Sequence, residues 1–236
     1  MNIFFSLLIG YLLGCLNPAF FLSKLKKINL RKHGTGNLGA VNVLLILGIL
    51  YFLAVMLLDM AKAFIAFKIS QTLFPELGVT GADGRLAGLI AGLGAVIGHL
   101  FPFYLKFKGG KGLAPFAGTA LAYEPLLFLA LLITAMVLML IVNYSFIVPY
   151  SASVLFCTVS TAMSLNVFVF LLSAASGGLV MWKHFENIVK AKNGTDVKVR
   201  EYILSLFTKK NTKAVPYEGE EVPVVEDFAE ENGDIE

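Results

Sequence analysis

Residues 85–112 read RLAGLIAGLGAVIGHLFPFYLKFKGGKG. The stretch stays apolar through Leu105, interrupted only by His99, and then turns into Lys106, Lys108 and Lys111 interleaved with Gly109, Gly110 and Gly112. About twenty apolar residues suffice for a helix to cross the hydrocarbon of a bilayer. A helix satisfies its own backbone there, which an irregular segment exposed to lipid does not. Cations at the end of such a run mark the cytoplasmic side. Glycines let backbone N–H groups approach an oxyanion, and the lysines supply charge to neutralise it. The stretch therefore predicts a membrane helix that delivers a phosphate-gripping loop to the cytoplasmic face.

The rest of the chain has the composition this requires. Of its 236 residues, 57% are hydrophobic and 15% charged, with a mean hydropathy of +0.78. Soluble domains run nearer about 25% charged, so the chain reads as an all-α integral membrane protein. All 19 Lys and Arg stand at or before Lys213, with seven of the 16 acids; the other nine acids follow it. That division separates a basic membrane domain, 1–200, from an acidic tail, 201–236, whose composition predicts disorder. Cys15 and Cys157 lie in apolar runs and read as small hydrophobes. No metal-ligand spacing is present.

Seven apolar segments follow in order: 3–23, 43–74, 85–105, the short 113–122, 125–142, 146–164 and 167–182. No Lys or Arg precedes the first, and Lys24, Lys26, Lys27, Arg31 and Lys32 follow it. This is the reverse of a signal peptide, and it predicts about seven transmembrane helices, with the N-terminus outside and the C-terminus cytoplasmic. If the ten-residue segment 113–122 is re-entrant and one turn is miscounted, the count falls to five. Asp59 and Lys62, an i, i+3 pair inside a span, are expected to pair. Intramembrane charges are costly and point to either function or helix-to-helix fixation. His99 reads as a structural residue.

Residues 34–39, GTGNLG, form a GxGxxG, but they follow KKINLRKH between spans rather than a β-strand. The dinucleotide reading fails for that reason, and a glycine-rich turn opening a helix fits better. This loop, 98–112, the turn 143–145 and HFENI at 184–188 are all expected on the cytoplasmic side. Glycine- and amide-rich loops converging with lysines and histidines suit a phosphorylated small molecule. Their apolar surroundings suit a lipid as second substrate.

These motifs resemble those of the bacterial acyl-phosphate:glycerol-3-phosphate acyltransferases, the PlsY type. The family patterns GSGNxGATNVLR, GHxFPVFLxFKGGKGVAT and HxxNIxRLxxGTE are similar to GTGNLGAVNVLL (34–45), GHLFPFYLKFKGGKGLAP (98–115) and HFENIVKAKNGTD (184–196) here. Asp59 and Lys62 match a DxxK pattern. The likeness covers about residues 3–200. It implies a seven-helix enzyme that moves an acyl chain from acyl phosphate to the 1-hydroxyl of glycerol 3-phosphate, giving lysophosphatidate and phosphate. It implies no metal, no CoA and no other cofactor.

The site residues implied are His184, Lys111 and Asn187 as catalytic groups. Thr35, Gly36, Asn37, Asn42, Lys106, Lys108, Gly109, Gly110, Gly112, Ser145 and Glu186 are the implied substrate-binding groups. The donor is an activated mixed anhydride, so the work left to protein is alignment and charge stabilisation. No Ser-His-Asp or HxxxxD pattern is present, and direct transfer is expected. The expected partners are the two substrates, membrane lipids and a soluble enzyme that makes the acyl phosphate, with no nucleic acid. The expected location is a bacterial inner membrane.

The chain departs from the family at four places. Leu45 stands where Arg is usual, Val41 where Thr is usual, and the turn Val142-Asn143-Tyr144-Ser145-Phe146 replaces a TRYVS-like sequence, so that both an Arg and a Ser are missing. These losses define a second reading, an impaired or regulatory paralogue that binds phospholipid precursors. The short 113–122 segment and the Asp59/Lys62 pair define a third, a small transporter. The absence of repeat symmetry and the placement of polar residues at one membrane face, not at the midplane, argue against that one.

Overall fold

The structure, a computed structural model, describes residues 1–79, 81, 83–196 and 198–201. Apart from Glu201, the expected acidic tail lies outside the described residues.

Among the described residues nine α-helices succeed one another: α1 Asn2–Cys15, α2 Pro18–Lys26, α3 Ala40–Leu47, α4 Ile49–Leu73, α5 Arg85–Leu100, α6 Leu113–Tyr123, α7 Pro125–Val142, α8 Ile147–Ser164 and α9 Val167–Lys192. A 3-10 turn, Phe103–Leu105, follows α5. Six stretches of the described residues are long and apolar enough to span a membrane: Asn2–Lys26, α4, Arg85–Leu105, α7, α8 and α9. The segment expected at 113–122 is α6, eleven residues and shorter than a span.

Two breaks interrupt expected segments. The first span divides at Leu16-Asn17-Pro18. The residue before proline is disfavoured in the α region, and Asn17, directly before Pro18, is extended at φ −114° and ψ 98°. Pro18 then opens α2, and the Asn17 side chain accepts the Phe20 N–H at 2.8 Å as its cap. The freed carbonyls are not left bare. Cys15 O accepts from the Tyr104 hydroxyl at 2.8 Å and Leu16 O from Lys62 Nζ at 2.6 Å. The second break is at Gly48, whose φ of +89° with ψ −178° is open essentially to glycine alone.

Helix α5 is the axis of the bundle; nearly all its residues from Ala87 to Leu100 are buried. It crosses α1 through facing small residues. A side chain at Gly10 or Gly14 would strike the backbone of Ala91 or Ala95, and one at Gly94 or Gly98 would strike the backbone of α1. Two Gly-xxx-Gly stripes thus bring two backbones into contact, the usual way to gain packing where lipid offers no hydrophobic drive. An aromatic cluster closes the other side. Phe116 meets Phe156 edge-on at 5.3 Å, and Tyr123 meets Phe156 at 5.8 Å. The short α6 survives because protein covers it: Pro115, Phe116, Gly118, Thr119 and Ala120 are buried among α4, α5 and α8.

Candidate active site

At one end of the bundle the loop 101–112 touches the loop 27–39 on one side and the C-terminal half of α9 on the other. Loop 101–112 is set by the end of α5. The Gly109 N–H donates to Leu100 O and the Gly110 N–H to His99 O, each at 3.0 Å. These two amides therefore cap α5. Expected as phosphate donors, Gly109 and Gly110 instead shape the loop that carries the donors. Gly112, at φ +84°, opens α6 and packs on Leu100, Val96 and Val180. Lys106 and Phe107 occupy the left-handed region, φ 53° and 59°, which turns the chain back after the 3-10 turn.

Lys111 leaves this loop toward α9. Its Nζ donates to Asn187 Oδ1 at 2.5 Å. Asn187 and His184 stand three apart on α9, and Val180 lies one turn earlier, so all three share a face. His184 is buried, and its Nδ1 lies 2.8 Å from Val180 O. A carbonyl only accepts, so Nδ1 carries the proton and Nε2 is left with its lone pair. Partial burial pulls the Lys111 ammonium below its ordinary pKa; the Glu186 carboxylate opposes this, as does Asp196 more weakly, while Lys190 and Lys183 reinforce it. Glu186 itself is exposed. Lys111, Asn187, His184 and Glu186 are thus one group.

Loop 27–39 is organised by buried Asn42. Its Oδ1 accepts the Thr35 N–H at 2.7 Å, and its Nδ2 donates to Leu30 O at 2.8 Å and His33 O at 3.2 Å. Asn42 is therefore a brace of the loop. The Gly36 N–H is likewise turned inward, donating to His33 O. The Thr35 hydroxyl and the Asn37 amide remain as polar side chains at the loop's apex, with Gly34 and Gly36 at φ +61° and +68°.

Two residues missed in the sequence hold these loops together. Arg31 Nη2 donates to Lys108 O at 2.8 Å and Leu105 O at 3.4 Å, clasping the first loop to the second. Asn17 Nδ2 donates to Leu38 O at 3.3 Å. Asn17 before Pro18 was a readable helix cap; nothing local marks Arg31. Lys106 and Lys108 are exposed, and no side-chain ion pair joins them to other described residues.

Ser145 lies in the turn between α7 and α8, half-buried. That turn is fastened by a third unforeseen residue. Arg200 donates its Nε to Leu140 O at 2.7 Å, its Nη2 to Ile141 O at 2.9 Å and its backbone N–H to Asn143 Oδ1 at 2.7 Å. It thereby caps α7. The Tyr150 hydroxyl donates to Met181 O at 3.0 Å, joining α8 to α9 one turn before His184.

Chemically, the group is a cation held by an amide beside an imidazole whose free lone pair is an acceptor. It lies where apolar helices meet a polar face.

The family model described as glycerol-3-phosphate acyltransferase matches residues 4–194. The glycerol-3-phosphate acyltransferase of Thermoanaerobacter pseudethanolicus is 35% identical over 193 residues, covering 81% of this chain and 93% of the relative. That of Coxiella burnetii is 35% identical over 203 residues, covering 85% of this chain and all of the relative. The crystal structure of PlsY (YgiH), an integral membrane glycerol 3-phosphate acyltransferase, in its glycerol 3-phosphate form superposes with a TM-score of 0.76 at 29% identity over 86% of this chain and 99% of that one. Its lysophosphatidic acid form gives 0.75 at 28% identity, over 86% of this chain and 100% of that one.

Proposed function

Since this chain belongs to the glycerol-3-phosphate acyltransferase family, we propose that it acylates glycerol 3-phosphate at the 1-hydroxyl from an acyl phosphate, at a site built on Lys111, Asn187 and His184. The observation that carries the site is the contact between Lys111 and Asn187, which joins the 98–115 motif to the 184–196 motif beside His184.

The hydroxyl oxygen attacks the acyl carbonyl carbon and forms the ester C–O bond. The bond from that carbon to the bridging phosphate oxygen breaks, and the electron pair leaves with inorganic phosphate. The hydroxyl proton passes to the free Nε2 of His184 and from there to the departing phosphate. Lys111 neutralises the anion at the loop, and Asn187 holds its ammonium in place. The phosphate oxygens and the carbonyl oxygen gain charge together, so one fixed cation nearby lowers the barrier. Thr35 and Asn37, with Lys106 and Lys108, line the approach for the doubly anionic acceptor. The donor arrives already activated as a mixed anhydride, and no covalent intermediate is required. With the N-terminus outside and α6 taken as a seventh membrane segment, this site faces the cytoplasm, where a soluble enzyme delivers the acyl phosphate.

Purified protein in lipidic phase, given palmitoyl phosphate and glycerol 3-phosphate, is expected to release phosphate and form lysophosphatidate. Release no greater than that of a Lys111→Ala, His184→Ala double variant overturns the proposal. Binding of glycerol 3-phosphate without release identifies the impaired paralogue.

A further inference from the structure

We infer that Asp59, Lys62 and His99 form a buried positioning device for Lys111, an inference that rests on the acyl-transfer reading above. The three come from two helices, α4 and α5, and all are less than 7% exposed. Lys62 Nζ lies 2.6 Å from Asp59 Oδ1 and 3.0 Å from His99 Nδ1, and donates to Leu16 O at 2.6 Å. His99 Nδ1 is also 3.2 Å from Asp59 Oδ1. The Asp59 carboxylate faces the Lys62 ammonium as a charge contact rather than through an aligned hydrogen bond.

The far edge of that ring is where the loop sits. A side chain added at Gly110 would meet His99 Cε1 at 2.8 Å and Cδ2 at 3.0 Å. The Gly110 N–H donates to the carbonyl of the same histidine. Loop and histidine are thus joined twice, through backbone and through ring, one residue before Lys111. The cluster also reaches the other way. Lys62 holds the carbonyl exposed by the break in the first span, and Tyr104, at the start of the loop, holds the neighbouring carbonyl of Cys15. The helix break, α4, α5 and the loop therefore share one set of polar contacts.

Stability alone does not account for such a cluster. A buried ion pair recovers its desolvation cost only with excellent geometry and is often replaceable by apolar residues. Its use here is directional: it fixes the ring plane against which Gly110 packs. Lys111 Nζ must meet Asn187 Oδ1, and a shift of about 1 Å in such a group is enough to cost large factors in rate.

The test uses the full chain in nanodiscs with a spin label at Phe107→Cys, an exposed loop position, in a background of Cys15→Ala and Cys157→Ala. Two changes are introduced separately: His99→Ala, and Asp59→Asn with Lys62→Met, which leaves no unpaired charge if single changes fail to fold. Each is expected to sharpen the label's spectrum and to raise the KM for glycerol 3-phosphate about tenfold or more, with the unfolding midpoint nearly kept. A residue that merely holds the fold lowers the amount of active protein and leaves KM alone. An unchanged spectrum overturns the inference, as does an unchanged KM with activity lost in step with folded protein. If the unaltered chain releases no phosphate, the acyl-transfer reading has failed instead, and the spectrum alone decides the positioning role.

Discussion

Lys111 Nζ donates to Asn187 Oδ1 across 76 residues of chain, and this bond joins a glycine loop to the last helix of the bundle. It also keeps the cation beside His184, three residues earlier on the same face. The loop end of the bond is anchored by α5, and the helix end by the packing of Val180 and Gly112.

Truncating either partner is expected to cost catalysis. A hydrogen bond involving a charge contributes roughly 1.5–3 kcal/mol, about 10- to 100-fold. Lys111→Ala exceeds this because the substrate anion loses its counter-charge as well. Asn187→Asp has a distinct signature: a carboxylate pairs with Lys111 and repels the phosphate, so KM rises more than in Asn187→Ala. Equal KM values in the two variants count against the placement.

The alkaline limb of the pH profile reports Lys111. Its proton is needed to hold an anion, and burial sets its pKa below the ordinary 10.5. Activity therefore falls as pH rises through that lowered value. Glu186→Gln removes the carboxylate that opposes the shift, so the limb moves to lower pH. Lys111→Arg, which stays charged, moves it upward. A limb unmoved in both variants shows that another group titrates.

His184 offers a test by shape. Asparagine imitates the Nδ1 end of the ring and keeps the bond to Val180 O; glutamine reaches the Nε2 position. If the free Nε2 accepts a proton, His184→Asn is expected to lose about 10²–10⁴-fold in kcat while remaining folded. His184→Gln should retain more substrate affinity than His184→Asn. Full activity in His184→Asn removes Nε2 from the mechanism.

Arg31 clasps two loops through carbonyl contacts at an exposed edge. Bonds from a charged guanidinium contribute about 1.5–3 kcal/mol, so Arg31→Ala is expected to raise the KM for glycerol 3-phosphate about 10- to 100-fold, with no change in unfolding midpoint. A change confined to stability points to a structural clasp only.

The crossing of α1 and α5 leaves no room for a side chain. Gly10→Val places methyl groups against Ala91 O, and overpacking of this kind costs typically about 1–3 kcal/mol. The unfolding midpoint in detergent should drop clearly, whereas Gly178→Ala, with open space around it, should leave it unchanged.

The helices were largely legible in the residues themselves. Apolar runs of membrane length and basic loops between alternate runs act locally, so each reads from its own neighbourhood, whereas the breaks at Asn17-Pro18 and Gly48 went unread inside 3–23 and 43–74. The segment 113–122 and its shortness were there to read. The motifs at 34–45, 98–115 and 184–196 named the residues that gather at one end of the bundle. Their roles were not legible. Gly109 and Gly110, by type, offer free amides; only the position of the α5 terminus shows those amides already donated to Leu100 and His99. Asn42 by type is a ligand for substrate, and only the folded loop shows its amide bonds spent on Thr35, Leu30 and His33. Asp59 and Lys62 were paired by helical spacing, but His99 joined them from another helix. Arg31 and Arg200 carried no signal, because a donor that serves distant carbonyls leaves no periodicity behind. Hydrophobicity and backbone propensity act over a few residues and are written along the chain. Hydrogen-bond satisfaction is settled between segments, so which polar groups are spent on the fold and which are left for chemistry was decided only when the helices packed.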